Sequence, residues 1–137
     1  TEMGITENEI RKYVRSKFKF ANFVPICFIS ALEKTGIPEL IGTIQLVYSQ
    51  WNTTIENNLI NDTLLESVYK TPPSTKRTKS LKIYTAEQDG ICPPRFTIKV
   101  NDPELVHFSY HRHLENDFRR SLGFTHCPIK LNFKPKV

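Results

Sequence analysis

Apolar residues recur at helical spacing in some stretches of this chain and alternate with polar ones in others, and the order of these patterns predicts its elements. Residues 7–19 place Ile10, Tyr13, Val14 and Phe18 on one helical face with Arg and Lys between them. Acidic side chains lead this segment and basic ones trail, as the helix dipole favours. The run Phe23-Val24-Pro25-Ile26-Cys27-Phe28-Ile29 is apolar throughout and predicts a buried strand. A loop over 30–36 follows, and Pro38 then opens a second helix whose Leu40, Ile41, Ile44, Val47, Tyr48 and Trp51 share a face. This helix–strand–loop–helix order is a piece of an α/β layer whose single strand must find partners elsewhere.

Residues 52–58 interrupt the apolar pattern with cap-forming side chains. Thr53-x-x-Glu56 fits a capping box, Asn57 fits an N-cap, and a domain boundary is expected here, dividing 1–52 from 53–137. A helix over 58–70 follows, built on Leu59, Ile60, Leu64, Leu65 and Val68, and then a polar, basic loop over 71–79 that Pro72 and Pro73 keep from being helical. Three alternating segments predict strands. Leu81, Ile83 and Thr85 alternate with Lys82 and Tyr84, Phe96, Ile98 and Val100 with Arg95, Thr97 and Lys99, and Ile129, Leu131 and Phe133 with Lys130, Asn132 and Lys134. Asp89-Gly90-Ile91-Cys92-Pro93-Pro94 reads as a long hairpin connection, and Asp102-Pro103 as a turn. Ser109 is placed to cap a helix carrying Tyr110, Leu114, Phe118 and Leu122, with Gly123 at its end. The order α-β-β-α-β predicts an α/β (α+β) domain with a small three-stranded sheet and helices on one face.

If the apolar residues of all three strands face the helices, the other face carries Lys82, Tyr84, Arg95, Thr97, Lys99, Lys130, Asn132 and Lys134. That expected face is cationic, holds one aromatic ring and has no acid. It suits RNA or an anionic protein partner, and equally a solvated outer face whose lysines discourage edge pairing.

Composition narrows this reading. The 137 residues carry 19 Lys plus Arg against 14 Asp plus Glu, a formal charge of +5. Residues 1–52 hold six basic and five acidic side chains, and the later part thirteen and nine, so the excess lies in the second segment. A mild basic excess permits an anionic partner without demanding one. With 39% hydrophobic residues and no long apolar run, a globular chain outside the membrane is expected. No signal peptide is visible, and without an initiator Met the chain reads as processed or cut from something longer. Cys27, Cys92 and Cys127 show no paired spacing and are expected as reduced thiols in a cytoplasm. His107, His111, His113 and His126 lack a zinc-like arrangement with them, so no metal is expected.

Catalytic signatures are missing. The sequence contains no phosphate loop, no Gly-x-Gly-x-x-Gly and no Gly-x-Ser-x-Gly. Glu115 and Asp117 are two apart on a helix and point to different faces. The chain by itself is expected to be no enzyme.

Two groups of residues carry a resemblance. Phe28-Ile29-Ser30-Ala31-Leu32 after an apolar strand is similar to the last guanine-recognition loop of a P-loop GTPase. More specific are Lys82-Ile83-Tyr84-Thr85-Ala86, Pro93-Pro94-x-Phe96, the run Val100-Asn101-Asp102-Pro103-Glu104-Leu105-Val106-His107-Phe108-Ser109-Tyr110, Leu114-Glu115-Asn116, and Pro128-Ile129-Lys130-Leu131. Together they resemble the C-terminal part of the Der (EngA) family of bacterial GTPases, in which two G domains precede a KH-like domain. The resemblance implies that 1–52 is the remnant of the second G domain, with Ser30, Ala31 and Leu32 as the remnant of its guanine loop, and that 53–137 is the KH-like domain. It further implies GTP and magnesium in the parent protein, though none in this chain, because the Asp-x-x-Gly and Asn-Lys-x-Asp motifs are absent too. The expected partners are the large ribosomal subunit, its rRNA and the upstream G domains, and the expected role is large-subunit assembly in the cytoplasm. The Gly-x-x-Gly loop of KH modules is absent, as is general in this family. Two roles remain open for the basic face of Lys82, Tyr84, Arg95, Lys99, Lys130, Asn132 and Lys134: contact with RNA, or docking of the G domains as they relay their nucleotide state. A freestanding small RNA-binding protein is the alternative outside the family.

Overall fold

The computed structural model describes residues 4–74 and 79–136. Positions 75–78, the middle of the expected polar loop, lie outside the described residues. The chain forms two compact units, Thr1–Tyr48 and Ser49–Val137.

In the first unit, helix α1 spans Glu7–Lys17 and opens on a reciprocal capping box. Thr6 Oγ1 accepts from Glu9 N (3.3 Å) while Glu9 Oε2 accepts from Thr6 N (2.9 Å), satisfying two N–H groups that a bare helix end leaves open. A 3-10 turn, Lys19–Ala21, follows, and Arg15 Nη1 ties the chain beyond it through the carbonyls of Asn22 (2.7 Å) and Val24 (2.5 Å). The expected strand at 23–29 is corrected: this segment forms no ladder, and Val24 and Ile29 are 42% and 49% exposed. An apolar run is a strand only when a neighbour takes its N–H and C=O groups, and none of the described residues supplies one. The turn behind it is well made. Ser30 and Thr35 exchange both backbone hydrogen bonds (3.0 and 3.1 Å), and Ser30 Oγ accepts from Glu33 N (3.2 Å). Gly36 closes it at φ +78°, where a Cβ would lie 2.2 Å from the Phe28 carbonyl oxygen, so no other residue fits. Helix α2 then spans Ile37–Trp51, its last three residues counted with the second unit, and Ile41, Ile44 and Tyr48 of its apolar stripe are exposed.

The second unit holds the buried core. It contains helix α3 (Asn57–Lys70), strands β1 (Ile83–Gly90) and β2 (Arg95–Val100), helix α4 (Phe108–Ser121) and strand β3 (Lys130–Pro135). This is the predicted α-β-β-α-β order and an α+β fold. The sheet order is β1-β2-β3, with β1 antiparallel and β3 parallel to the central β2. Phe96, Ile98 and Val100 face the helices with no exposed surface, and Phe96 meets Phe118 and Phe124 edge-on, with ring centroids 5.4 and 6.1 Å apart.

Several local expectations are corrected. Neither Thr53 nor Asn57 caps α3: its N-cap is Glu56, with no side-chain bond, and Thr53 Oγ1 instead donates to the Ser49 carbonyl (2.6 Å). For α4 the N-cap is His107, whose carbonyl accepts from His111 N (2.9 Å), leaving Ser109 inside the helix. Gly123 does end α4, at φ +84°, and Phe124 N reaches back to the Arg119 carbonyl (2.8 Å) as in a Schellman motif. Helix α3 buries Ile60, Thr63, Leu64 and Ser67, so polar side chains sit in its covered stripe while Leu59 and Leu65 are exposed. Ser67 is tolerated there because its hydroxyl donates to Asp117 Oδ2 and lies 3.3 Å from His113 Nε2.

Strand β1 lies at one edge of the sheet, and two amides cover that edge. Asn61 Oδ1 accepts from Ala86 N and Asn61 Nδ2 donates to Ala86 O, both at 2.9 Å, as a neighbouring strand would. Gln88 does the same with the segment entering α3, accepting from Ile55 N (2.7 Å) and donating to Thr53 O (2.9 Å). Open sheet edges invite pairing with other chains, and these contacts occupy this one. Among the described residues no helix is long and apolar enough to cross a membrane.

Asn61→Ala is expected to destabilise the second unit by ~1–3 kcal/mol, since it leaves both polar groups of Ala86 unpaired. Urea denaturation followed by the signal of the second unit measures this. Leu65→Ala, at an exposed position of the same helix, is expected to change stability by less than ~0.5 kcal/mol.

Candidate nucleic-acid interface

The face of the sheet away from the helices is built by alternation, interrupted twice in β1. In β2 and β3 the pattern is as expected: Arg95, Thr97 and Lys99, and Lys130, Asn132 and Lys134, point away from the core residues between them. In β1 the pairing skips from Ile83↔Val100 to Thr85↔Lys99, leaving Tyr84 as an extra residue. This bulge reverses the phase of the strand. Leu81 is buried before it, whereas Ala86 is buried after it and Thr85 is exposed. Thr85 therefore joins the outer face, against expectation, and Glu87 and Asp89 follow it there. An acid-free face is thus overturned: the bulge at Tyr84 turns Thr85 and Glu87 outward. Strand β1 also runs on to Gly90, past the expected start of the connection, where a second register shift leaves Asp89 as an extra residue bonded to Arg95 and Thr97.

The two acids change the electrostatics unequally. Asp89 Oδ1 accepts from Arg95 Nε (3.0 Å), its carbonyl accepts from Arg95 Nη2 (3.1 Å), and its Oδ2 accepts from Thr97 Oγ1 (2.7 Å). Thr97 is thereby buried and Arg95 neutralised. Burial raises the Asp89 carboxyl, but the hydrogen bonds from Thr97 and Arg95 and the charges of Arg95 and Lys134 outweigh it, holding the pKa below its ordinary value. Glu87 stands opposite Thr97 and is exposed.

The remaining cations gather on the other side. Lys130, Lys134 and Lys136 are exposed along β3 and its end, and half-buried Lys99 is in register with Lys134 on β2. None of these four lysines sits in an ion pair among the described residues. Like charges on directly opposed residues of a sheet are destabilising, so the Lys99–Lys134 pairing costs stability where it stands. Lys136 Nζ lies 4.6 Å over the Tyr84 ring. Lys82 is exposed just before β1, its backbone N donating to Asn101 Oδ1 (2.8 Å).

The structure thus brings Tyr84, Lys99, Lys130, Asn132 and Lys134 onto one surface, ties Arg95 to Asp89, and leaves Lys82 at the margin. Sequence reasoning missed Glu87, Asp89 and Lys136. Lys136 was readable, because it continues the alternation Lys130, Asn132, Lys134. Ser30, Ala31 and Leu32 form the first-unit turn closed by Thr35, with Leu32 almost wholly exposed.

A serine, a histidine and an aspartate do meet between α3 and α4, but not as a catalytic relay. Ser67 Oγ (3.3 Å) and Asp117 Oδ2 (3.4 Å) approach the same nitrogen, His113 Nε2. A relay needs the acid on one ring nitrogen and the hydroxyl on the other. Among the described residues no three His, Cys, Asp or Glu side chains are grouped to hold a metal.

The Asp89 network yields a signed pH prediction. A carboxyl whose folded pKa is depressed contributes stability that is present above its unfolded pKa, near 3.8, and lost as pH falls through the lower folded value. Asp89→Asn is expected to lower stability at pH ~7 by ~0.5–1 kcal/mol, allowing for solvent screening of a partly exposed pair. It should also remove part of the loss seen on acidification below pH ~4. Denaturation of both proteins at the two pH values measures this.

The family model described as the KH-domain-like domain of EngA bacterial GTPase enzymes, C-terminal, matches residues 54–134. The chain is 40% identical over 131 residues to the GTPase Der of Thermoanaerobacter sp. (strain X514), covering 96% of this chain and 30% of that protein. It is 39% identical to the GTPase Der of Halothermothrix orenii over 132 residues, with the same coverage. With the GTPase Der of Geobacillus thermodenitrificans it shares 38% identity, over 93% of this chain and 29% of the relative. The chain therefore spans about 30% of the length of these curated relatives. With a match to 54–134 and the α-β-β-α-β order of the second unit, the chain belongs to the family of KH-domain-like domains from the C-terminus of EngA bacterial GTPases.

Proposed function

We propose that this chain is the C-terminal part of a tandem-G-domain GTPase of the Der kind, acting in assembly of the large ribosomal subunit, and that its KH-like domain docks the GTPase on rRNA in the cytoplasm. The observation that carries this reading is the group of Lys99, Lys130, Lys134 and Lys136, on one face and without a counter-charge in an ion pair among the described residues. The similarity of residues 1–52 to the relatives supports their assignment as the tail of the second G domain, with Ser30, Ala31 and Leu32 at its guanine loop. GTP and magnesium belong to the upstream part, because this chain has no phosphate loop. A guanine loop alone supplies little of the binding, which in such enzymes comes from the phosphate loop, its Lys and Mg²⁺. Titration of labelled GTP into the 137-residue chain is expected to show no saturation at micromolar concentrations, and saturable binding there overturns this assignment.

For the rRNA contact, Lys99, Lys130 and Lys134 are replaced together by Gln. The plot of log affinity against log salt for a ribosomal RNA fragment is expected to become shallower by ~2–3 in total. Unchanged RNA binding, with altered GTP turnover when the same substitutions are made in a full-length relative, favours a docking surface for the G domains instead. The exposed Leu65 and Tyr69 on α3, 62% and 86% accessible, suit such a protein contact better than the lysines do.

A further inference from the structure

We infer that the outer face takes RNA lengthwise along β3 rather than across the sheet, and that it grips the phosphate backbone of a duplex. This rests on the RNA reading above and adds to it a direction and a class of RNA.

The direction follows from the strand register. Reading across the face, Thr85, Lys99 and Lys134 form one row, and Glu87, Thr97 and Asn132 the next. Arg95 and Lys130 form a third, with Asp89 bonded to Arg95 at its β1 side. Charge is therefore sorted by strand. The β1 column is acidic, the β3 column is basic, and on β2 Asp89 occupies Arg95 while Lys99 stays unpaired beside Lys134. Neighbouring strands lie ~4.8 Å apart, so a polyanion laid across the sheet meets Glu87 within ~10 Å of leaving the lysines, about one Debye length. Laid along β3 it keeps Lys130 and Lys134 beneath it over ~13 Å, with Lys99 alongside.

The class of RNA follows from what the face lacks. Sheet-borne readers of single strands stack bases on exposed aromatic rings, commonly on central strands. Here the outward residues of central β2 are Arg95, buried Thr97 and Lys99. Tyr84 sits at the bulge of an edge strand, and the Lys136 ammonium lies over its ring. No Gly-x-x-Gly loop is present to clamp an unpaired backbone. Lysine contacts made without a stacking platform suit phosphates whose bases are already paired.

The test uses the intact 137-residue chain with two labelled RNAs of equal length, a hairpin with an uninterrupted stem and an unpaired oligouridine. The hairpin is expected to bind about ten-fold more tightly at low salt. Glu87→Gln, about a Debye length from this seat, should change hairpin binding by less than ~2-fold, whereas Lys134→Gln should weaken it about three-fold. Tyr84→Leu should change affinity less than ~2-fold, whereas loss of a stacked base would cost about 5- to 150-fold. Preference for oligouridine together with a large Tyr84→Leu effect overturns the duplex inference and leaves the RNA reading standing. Hairpin binding tightened several-fold by Glu87→Gln overturns the lengthwise direction, because only an RNA that crosses the sheet meets that carboxylate. Failure to bind either RNA overturns the RNA reading itself.

Discussion

Phe96, Ile98 and Val100 lose all contact with water only because β2 has a strand on each side and helices over one face, and this burial of the central strand governs the rest of the second unit. Fully burying three such side chains contributes several kcal/mol, ~1.5–3 each, against the ordering of the chain around them. Removing Phe96 would open the contact with both Phe118 and Phe124. The same strand also sets the chemistry of the opposite face. Its alternation points Thr97 and Lys99 outward at fixed heights, and its register brings Asp89 over Arg95 and Thr97 and Lys134 beside Lys99. Packing on one side and charge sorting on the other are thus consequences of a single placement.

The first unit shows what happens without such a strand. It has well-formed local structure, with a capped helix, a closed turn and a glycine that nothing can replace. Yet among the described residues none of the fully buried apolar side chains belongs to it. Ile41, Ile44 and Tyr48 of α2 and Val24 and Ile29 of the extended run remain exposed. Local hydrogen bonds specify turns and helix ends, but independent stability requires an apolar layer on which to pack.

Much of the second unit was legible in the sequence because its signals are periodic. The alternation at 96–100 and 129–133 and the four-residue recurrence of Leu114, Phe118 and Leu122 translate directly into buried faces. Gly123 was legible for another reason: few residues tolerate the positive φ that ends α4. What resisted reading depends on contacts distant in sequence. Thr63 and Ser67 appear as surface positions until Asp117, fifty residues on, supplies the partner that makes Ser67 buriable. The strand expected at 23–29 has the right composition but no neighbour among the described residues. The candidate site failed in β1, at the bulge at Tyr84 and at the strand's end, because an alternation of period two carries no mark of an extra residue and Asp89-Gly90 has the composition of a turn. Missing the bulge placed Thr85 in the core and kept Glu87 off the face, and reading Asp89 as loop removed the second acid, turning a sorted surface into a uniformly basic one. Recognition of the family rested on short, specific runs such as 100–110 and did not depend on the phase of β1.

A face whose charge is sorted by strand makes a sharp statement about where a polyanion rests. Amine-reactive footprinting, read residue by residue with and without a saturating RNA hairpin, bears on it directly. Slowed modification is expected at Lys99, Lys130, Lys134 and Lys136, with Lys70, paired to Glu66 on α3, and Lys12 on α1 unchanged. Protection spread evenly over all lysines, or concentrated on α1, would contradict a lengthwise seat on β3.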